Sequence, residues 1–275
     1  MSDCTQAWVN GEPCTQLSVY DRGLQFGDGL FETLAVIDGR IAHWPRHRTR
    51  LTRGCERLGL PAPAWPQLEQ ELQTAATGQT QAILKLIHTG GDSARGYARP
   101  DAAEPGCVLL RTAWPAHLER HSLSGLRLIW CRHRLGSQPR LAGLKHLNRL
   151  DQVIARGEWR DPAIDEGLLC NQAGNVIEGV ASNLFLVRGG ALHTPALEDC
   201  GVAGVMRAHI METAVQAGIE VHEDRLDEAA VRDADELFLC NSLMGLRPVT
   251  RLADICYEPG PVTRRLLGYL TPETV

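Results

Sequence analysis

No two of the nine cysteines stand close enough in the chain to make a CxxC pair, so zinc-ligand and dithiol redox motifs have no support. No apolar run approaches the roughly 20 residues needed to cross a bilayer. The opening Met1-Ser2-Asp3-Cys4-Thr5-Gln6 lacks the basic stretch and apolar core of a secretory signal. Reduced thiols in a cytoplasmic protein with no membrane segment are the simplest account of these absences. A general basic footprint is missing as well. The formal net charge is −5 and the pI is near 6.1, which argues against nucleic acid as a partner. Neither internal repeats nor low-complexity tracts are evident. What is present is 275 residues, 44% hydrophobic and 22% charged, enough to bury one large core or two modest ones. One local run is basic: Arg46, Arg48, Arg50, Arg53 and Arg57 with His43 and His47. Such a run serves an anionic ligand or, more commonly, a solvated helix face.

Strand and helix signals mix through the first hundred residues. Leu17 to Tyr20 and Thr33 to Ile37 read as strands, and Asp38-Gly39 has the composition of a tight hairpin turn before Arg40-Ile41. A helix follows, with Pro45 in its first turn, Leu51, Cys55 and Leu58 along one stripe, and Gly59 to stop it. Pro66 to Ala76 reads as a second helix and Ala82 to Ile87 as a strand. Next come the glycine-rich loop Thr89 to Arg99 and strand Cys107 to Thr112. Proline and polar residues interrupt the pattern from Ala113 to Gly125, so this segment is the expected linker, with a boundary near residue 119. Residues 1–118 are then a smaller N-terminal α/β domain and residues 119–275 a larger C-terminal domain. In the second, the expected strands are Leu126 to Cys131, Glu166 to Cys170, Val176 to Glu178, Leu184 to Val187, Ala191 to His193, Glu220 to His222 and Glu236 to Cys240. The expected helices are His146 to about Trp159, with Leu147, Leu150 and Ile154 on one face, then Val205 to Ala217 and Pro261 to Leu270. The class is α+β, without the regular alternation of a doubly wound sheet.

Three segments of the second half carry chemistry. Gly143-Leu144-Lys145-His146-Leu147-Asn148-Arg149-Leu150 places one lysine at a loop-to-helix junction among apolar neighbours. Burial disfavours the ammonium form, which is how a lysine becomes the neutral amine needed for a Schiff base or for proton abstraction. Read alone, such a lysine is more often a solvated surface residue. Asn175-Val176-Ile177-Glu178-Gly179 ends a short strand with a carboxylate, in isolation an ordinary turn. Cys200-Gly201-Val202-Ala203-Gly204-Val205-Met206 puts glycines just before a helix, leaving backbone N–H groups to hold an anion such as phosphate. An amine, an acid and a phosphate seat are the parts that hold and tune pyridoxal phosphate.

These segments, with Ser18 to Thr33 and His47 to Leu51, resemble along the full chain the branched-chain aminotransferase-like, fold-type IV pyridoxal-phosphate enzymes, whose fold is D-amino acid aminotransferase-like and two-domain. Within that family, Leu141 to Leu150 and Gly91 to Tyr97 are similar to the aminodeoxychorismate lyases. The resemblance implies that Lys145 forms the internal Schiff base (aldimine), that Glu178 pairs with the pyridine nitrogen, and that Arg50, Gly204, Val205, Met206 and Ser242 seat the phosphate. Asn241-Ser242 departs from the glycine-threonine pair of many aminotransferase relatives, which makes Ser242 less secure than Arg50. The implied reaction of folate biosynthesis converts 4-amino-4-deoxychorismate to 4-aminobenzoate and pyruvate, with Lys145 moving the proton; the alternative is transamination of a D-amino acid or a branched-chain amino acid. A dicarboxylate substrate needs further cationic and multi-donor groups. Arg95, Tyr97 and Arg99 on the glycine-rich loop, with Thr33 and Asn148, are the candidates. His146 is expected to shape the lysine loop. A non-catalytic scaffold is disfavoured, because a buried amine and a matching carboxylate would each carry a desolvation cost without return. The family resemblance also implies a homodimer.

Overall fold

Alternation of apolar residues along the early strands, and one apolar stripe on each of two helices, produce a sheet covered by helices. The computed structural model describes residues 6–101, 103–119 and 125–270. Residues 1–5, read for a targeting signal, and 120–124 of the expected linker lie outside these. The chain divides into two units, Met1–Leu118 with Leu144–Asn148, and Glu119–Gly143 with Arg149–Val275.

The first unit holds an antiparallel sheet of six strands in the order β2-β1-β6-β5-β3-β4. These are β1 (Gln6–Val9), β2 (Glu12–Pro13), β3 (Gly29–Ile37), β4 (Arg40–Ile41), β5 (Gln81–Thr89) and β6 (Gly106–Ala113). The turn into β4 has positive φ at both Asp38 (48°) and Gly39 (74°), as a two-residue hairpin connection requires. Helix α2 (Trp44–Leu58) starts with Pro45 in its first turn and ends at Gly59, which is left-handed with φ 64°. Its Leu51 and Cys55 pack with Leu68 and Leu72 of α3 (Trp65–Ala76) onto Leu34, Leu84, Leu86 and Leu109 of the sheet. Each fully buried leucine contributes roughly 2 kcal/mol.

Leu17 to Tyr20 is not a strand. Tyr20 N–H donates to Ser18 Oγ at 3.1 Å and Asp21 then caps the short helix α1 (Arg22–Phe26) by accepting from Leu24 N–H, so local side-chain bonds outcompete a ladder here. The segment Leu144–Asn148 joins this unit through β3. Phe31 N–H donates to Lys145 O at 2.9 Å, and Leu147 N–H to Gly29 O at 3.0 Å. Leu144 enters the core.

The second unit has nine strands: β7 (Leu126–Leu135), β8 (Glu166–Asn171), β9 (Val176–Gly179), β10 (Asn183–Arg188), β11 (Ala191–Pro195), β12 (Val221–Asp224), β13 (Glu236–Asn241), β14 (Gly245–Leu252) and β15 (Ile255–Cys256). Their order is β12-β11-β10-β13-β14-β7-β8-β9, with β15 on β14. A further pairing of Asn183 with Glu178 joins β9 to β10. Strands β10, β13, β14, β7, β8 and β9 therefore close into a ring. Period-two alternation divides the side chains between two cores. Leu184 and Leu186 of β10 point with Leu168, Leu237 and Leu239 to one side. Phe185 and Val187 point to the other, where Met206 and Ile210 of α5 (Val205–Gln216) and Leu266 of α7 (Pro261–Tyr269) cover them. Strand β14 and the short helix α6 (Glu228–Arg232) have no counterpart in the sequence expectations; Pro248 within β14 removes a ladder donor and masks it as a strand.

The helix expected over 146–159 is only Leu150–Arg156, here α4. The Lys145 carbonyl accepts from Phe31 N–H and His146 bridges Leu30, so pairing with β3 holds the backbone of residues 145–147 and the helix starts only after it. Leu150 and Ile154, expected on a buried face, are 73% and 54% exposed, while Ala155 packs with Trp159 into a smaller core with Cys131, Leu169 and Ile177. Among the described residues no helix is long and apolar enough to cross a membrane.

Candidate active site

In the first unit, the pairing of residues 145–147 with β3 sets the Lys145 side chain so that its Nζ lies 4.3 Å from the centre of the Phe31 ring. Next to Phe31, Glu32 is buried at 1% exposure. Its carboxylate accepts from Arg50 Nε at 2.8 Å, from Arg50 Nη2, and from His47 Nδ1 at 2.6 Å. Burial pushes the Glu32 carboxyl up, but the charge and hydrogen bonds of Arg50, with the bond from His47, hold it down at about 2. Burial above all holds His47 below its ordinary value. His47 and Arg50, three apart on α2, reach the same carboxylate because that spacing puts them on one helix face. Arg50 is thereby oriented in advance, with two of its N–H groups on Glu32.

The glycine-rich loop is also tied down in this unit. Arg22, 3% exposed, donates to Asp28 Oδ2 at 2.7 Å, to Ser93 Oγ at 3.0 Å, and to the carbonyls of Gly96, Tyr97 and Ala98. Arg99 donates to Asp28 and to the carbonyls of Leu58 and Gly59. Arg99 was a candidate for a substrate carboxylate; these partners make it a brace of the loop instead. Gly91, at φ 69°, sits with no room for a Cβ against Glu104 O, which fixes the start of the loop. Beyond these ties Arg95 is exposed, and Tyr97 is 86% exposed with its ring 5.4 Å from that of Phe26. Thr33 is half-buried on β3, and Asn148 is exposed and donates from Nδ2 to Gly27 O at 3.3 Å.

In the second unit, Glu178 lies at the seam of the strand ring and is 4% exposed. Its Oε2 accepts from Val202 N–H at 2.8 Å, and Asn183 Nδ2 donates to Val202 O at 2.8 Å. Gly143 N–H donates to Gly201 O, and Ala203 N–H to Gly143 O, so the glycine segment is laced to the chain two residues before the lysine through an isolated bridge. Gly204 caps α5 without a side-chain bond, and a Cβ there would overlap the Asn183 side-chain oxygen. A helix start leaves its first N–H groups without intrahelical acceptors, so those of Val205 and Met206 can take an anion. Asn241 Oδ1 accepts from Leu243 and Met244 N–H, at 3.0 and 2.9 Å, forming the turn that carries half-buried Ser242. This cradle, with its acid and its uncapped helix start, fits a ring nitrogen and a phosphate.

Sequence reasoning did not single out Glu32 as the acid of the Arg50 cluster, nor Arg149, whose guanidinium feels both Glu178 and Asp151 while burial lowers its basicity. It also passed over Asn183 and Arg22. The signal for Arg22 and Asp28 was their opposite charge within the glycine-containing Asp21-to-Gly29 stretch, where the two side chains pair.

Comparison with known proteins gives the family. The chain is 35% identical to an aminodeoxychorismate lyase of Vibrio harveyi over 96% of its length and 98% of that protein's. It is 28% identical to a putative branched-chain-amino-acid aminotransferase of Methanocaldococcus jannaschii over 88% of its length and 86% of that protein's. Among solved structures, a 4-amino-4-deoxychorismate lyase from Pseudomonas aeruginosa superimposes with a TM-score of 0.92 at 47% identity, covering 96% of this chain and 97% of that one. The family model for amino-transferase class IV matches residues 29–252. The chain therefore belongs to the class IV aminotransferase family.

Proposed function

We propose that this chain is a pyridoxal-phosphate-dependent carbon–oxygen lyase that converts 4-amino-4-deoxychorismate to 4-aminobenzoate and pyruvate in folate biosynthesis. The observation that carries the reading is its likeness, along nearly the whole chain, to two lyases of that name at 35% and 47% identity. Lys145 is the residue proposed to hold the cofactor through its amine, and Glu178 the carboxylate for the pyridine nitrogen. Arg50, the N–H groups of Val205 and Met206 behind Gly204, and Ser242 are proposed for the phosphate. Burial of Glu178, pre-orientation of Arg50 by Glu32, and the uncapped start of α5 support these roles.

When bound, pyridoxal phosphate supplies a sink for the electron pair left when a C–H bond breaks beside an amine. Glu178 holds a negative charge where a protonated ring nitrogen is wanted. Lys145, once its amine is free and neutral, takes the proton from the substrate carbon that bears the amine. The enolpyruvyl ether oxygen then leaves the adjacent carbon, Lys145 in its protonated form gives that oxygen a proton, and the ring becomes aromatic. Thr33, Arg95, Tyr97 and Asn148 are proposed to meet the two carboxylates and orient the ring. We place the enzyme in the cytoplasm as a homodimer. Val19, Tyr20 and Leu24, each more than half exposed in the first unit, are apolar surface that a second copy would cover.

The test is to supply enzymatically generated 4-amino-4-deoxychorismate to the cofactor-loaded protein and to its Lys145→Ala variant. Equal formation of 4-aminobenzoate and pyruvate, lost in the variant, is the expected outcome. Turnover of a D-amino acid or branched-chain amino acid to a keto acid, with no 4-aminobenzoate, would move the protein to the aminotransferases.

A further inference from the structure

Helix α5 begins in a way that an ordinary helix avoids. A helix start carries partial positive charge and is stabilised by acidic side chains. The first turn of α5 has none, Gly204 lends it no side-chain cap, and its third residue is the buried Arg207. A cation buried at that pole is costly unless it is paired and an anion offsets the local charge. Arg207 is paired. Its Nε donates to Thr194 Oγ1 at 3.2 Å, and its Nη2 donates to Pro195 O at 3.0 Å and to Glu223 Oε2 at 2.7 Å. Thr194 and Glu223 are register partners on β11 and β12, so the guanidinium lies across that pair of strands and ties the helix start to both.

The tie continues to β10. Thr194 Oγ1 gives its own hydrogen to Leu184 O at 2.8 Å, which leaves its lone pairs for Arg207 and fixes the hydroxyl in both roles. One residue earlier, Asn183 Nδ2 donates to Val202 O at 2.8 Å, and Asn183 pairs with Glu178 across the seam of the ring. The segment 202–207 is thus fastened at both ends to the start of β10, at one end directly and at the other through Arg207 and Thr194. Between the two fastenings lie the N–H groups of Val205 and Met206. Glu178 belongs to the same frame through Val202 N–H. We propose that Arg207 is a positioning residue that sets the spacing between the Glu178 carboxylate and the Val205 and Met206 N–H groups. A ligand with a ring nitrogen at one end and a phosphate at the other is then gripped at both, and Arg207 acts on it through the helix start that it holds. This rests on reading the start of α5 as the phosphate seat.

Equilibrium dialysis of the full, cofactor-free chain against pyridoxal phosphate and against pyridoxal, which lacks the phosphate, tests it. The ratio of the two affinities isolates the share of the phosphate, because the ring is common to both. Arg207→Met keeps an unbranched side chain without donors and is expected to lower that ratio about tenfold, the scale of one charge-assisted hydrogen bond. Thr194→Val keeps the shape of the β11 side chain and removes only the hydroxyl; it is expected to lower the ratio about threefold, and it decides the matter where Arg207→Met does not fold. A brace of stability alone would weaken both ligands alike or neither. A wild-type ratio in either folded variant therefore overturns the proposal. Amide NMR of the wild-type chain separates this result from the reading beneath it, since the Val205 and Met206 N–H resonances are expected to move further with pyridoxal phosphate than with pyridoxal. If they ignore the phosphate, the seat lies elsewhere and the proposal falls with it. If they respond while the variants keep the wild-type ratio, the seat stands and only the role of Arg207 falls.

Discussion

Glu178 is buried with one oxygen on the Val202 N–H, and a glutamine there can still accept that bond while losing the charge. Glu178→Gln is therefore expected to keep the visible band of bound cofactor and to lower kcat about 100-fold, the scale set by removing one preorganised electrostatic partner. Steady-state rates with the cofactor saturating check this, and an unchanged kcat would remove Glu178 from the chemistry. Lys145 and Glu178, the residues proposed for the cofactor, could be singled out from the chain because each stands at a junction between elements, where an ionisable group and a turn coincide. Glu32 was not. Its neighbours Phe31 and Thr33 read as strand, and the partners that make it an ionised buried acid, Arg50 and His47, lie 18 and 15 residues further on. A buried carboxylate is intelligible only together with the cations that satisfy it.

At the scale of elements, the turn between β9 and β10 hangs on Glu166 at the start of β8. That carboxyl accepts from Ala181 N–H and Ser182 Oγ, both at 3.2 Å, yet burial pushes it up to about 7 from an ordinary 4.5. The folded state thus binds its proton more tightly than the unfolded chain does. The stabilising contribution is full below pH 4.5 and is lost as pH rises to about 7, amounting to roughly 3 kcal/mol. Glu166→Gln, which cannot ionise, is expected to flatten the fall in Tm between pH 5 and pH 8, as read by thermal denaturation across that range. A wild-type profile in the variant would place the titration elsewhere. The helices α2, α3 and α5 could be read from proline, glycine and apolar spacing, because those signals act within one or two turns. Helix α4 could not, since the Lys145 carbonyl accepts from Phe31 and His146 bridges Leu30, more than a hundred residues earlier, and this pairing with β3 takes the first turn of the helix that the apolar spacing suggested.

For the whole molecule, the proposed dimer makes a direct prediction. Sedimentation equilibrium should give twice the 30.2 kDa of one chain, and Leu24→Asp, which puts a charge on the exposed apolar surface, should shift the mass toward 30.2 kDa. A wild-type protein that sediments as a single chain would end the proposal. By itself the sequence determined the α+β class, most of the helices and strands, and the residues able to do amine, acid and anion chemistry, since these depend on side-chain type and near-neighbour spacing. Only the tertiary structure decided that β9 meets β10 at Glu178 and closes a ring, that residues 144–148 pair with β3, that Arg99 braces a loop, and that Glu32 holds Arg50 and His47. Each of these joins groups far apart in the chain, and pairing, burial and ionisation depend on which distant partner a group finds rather than on which residues flank it.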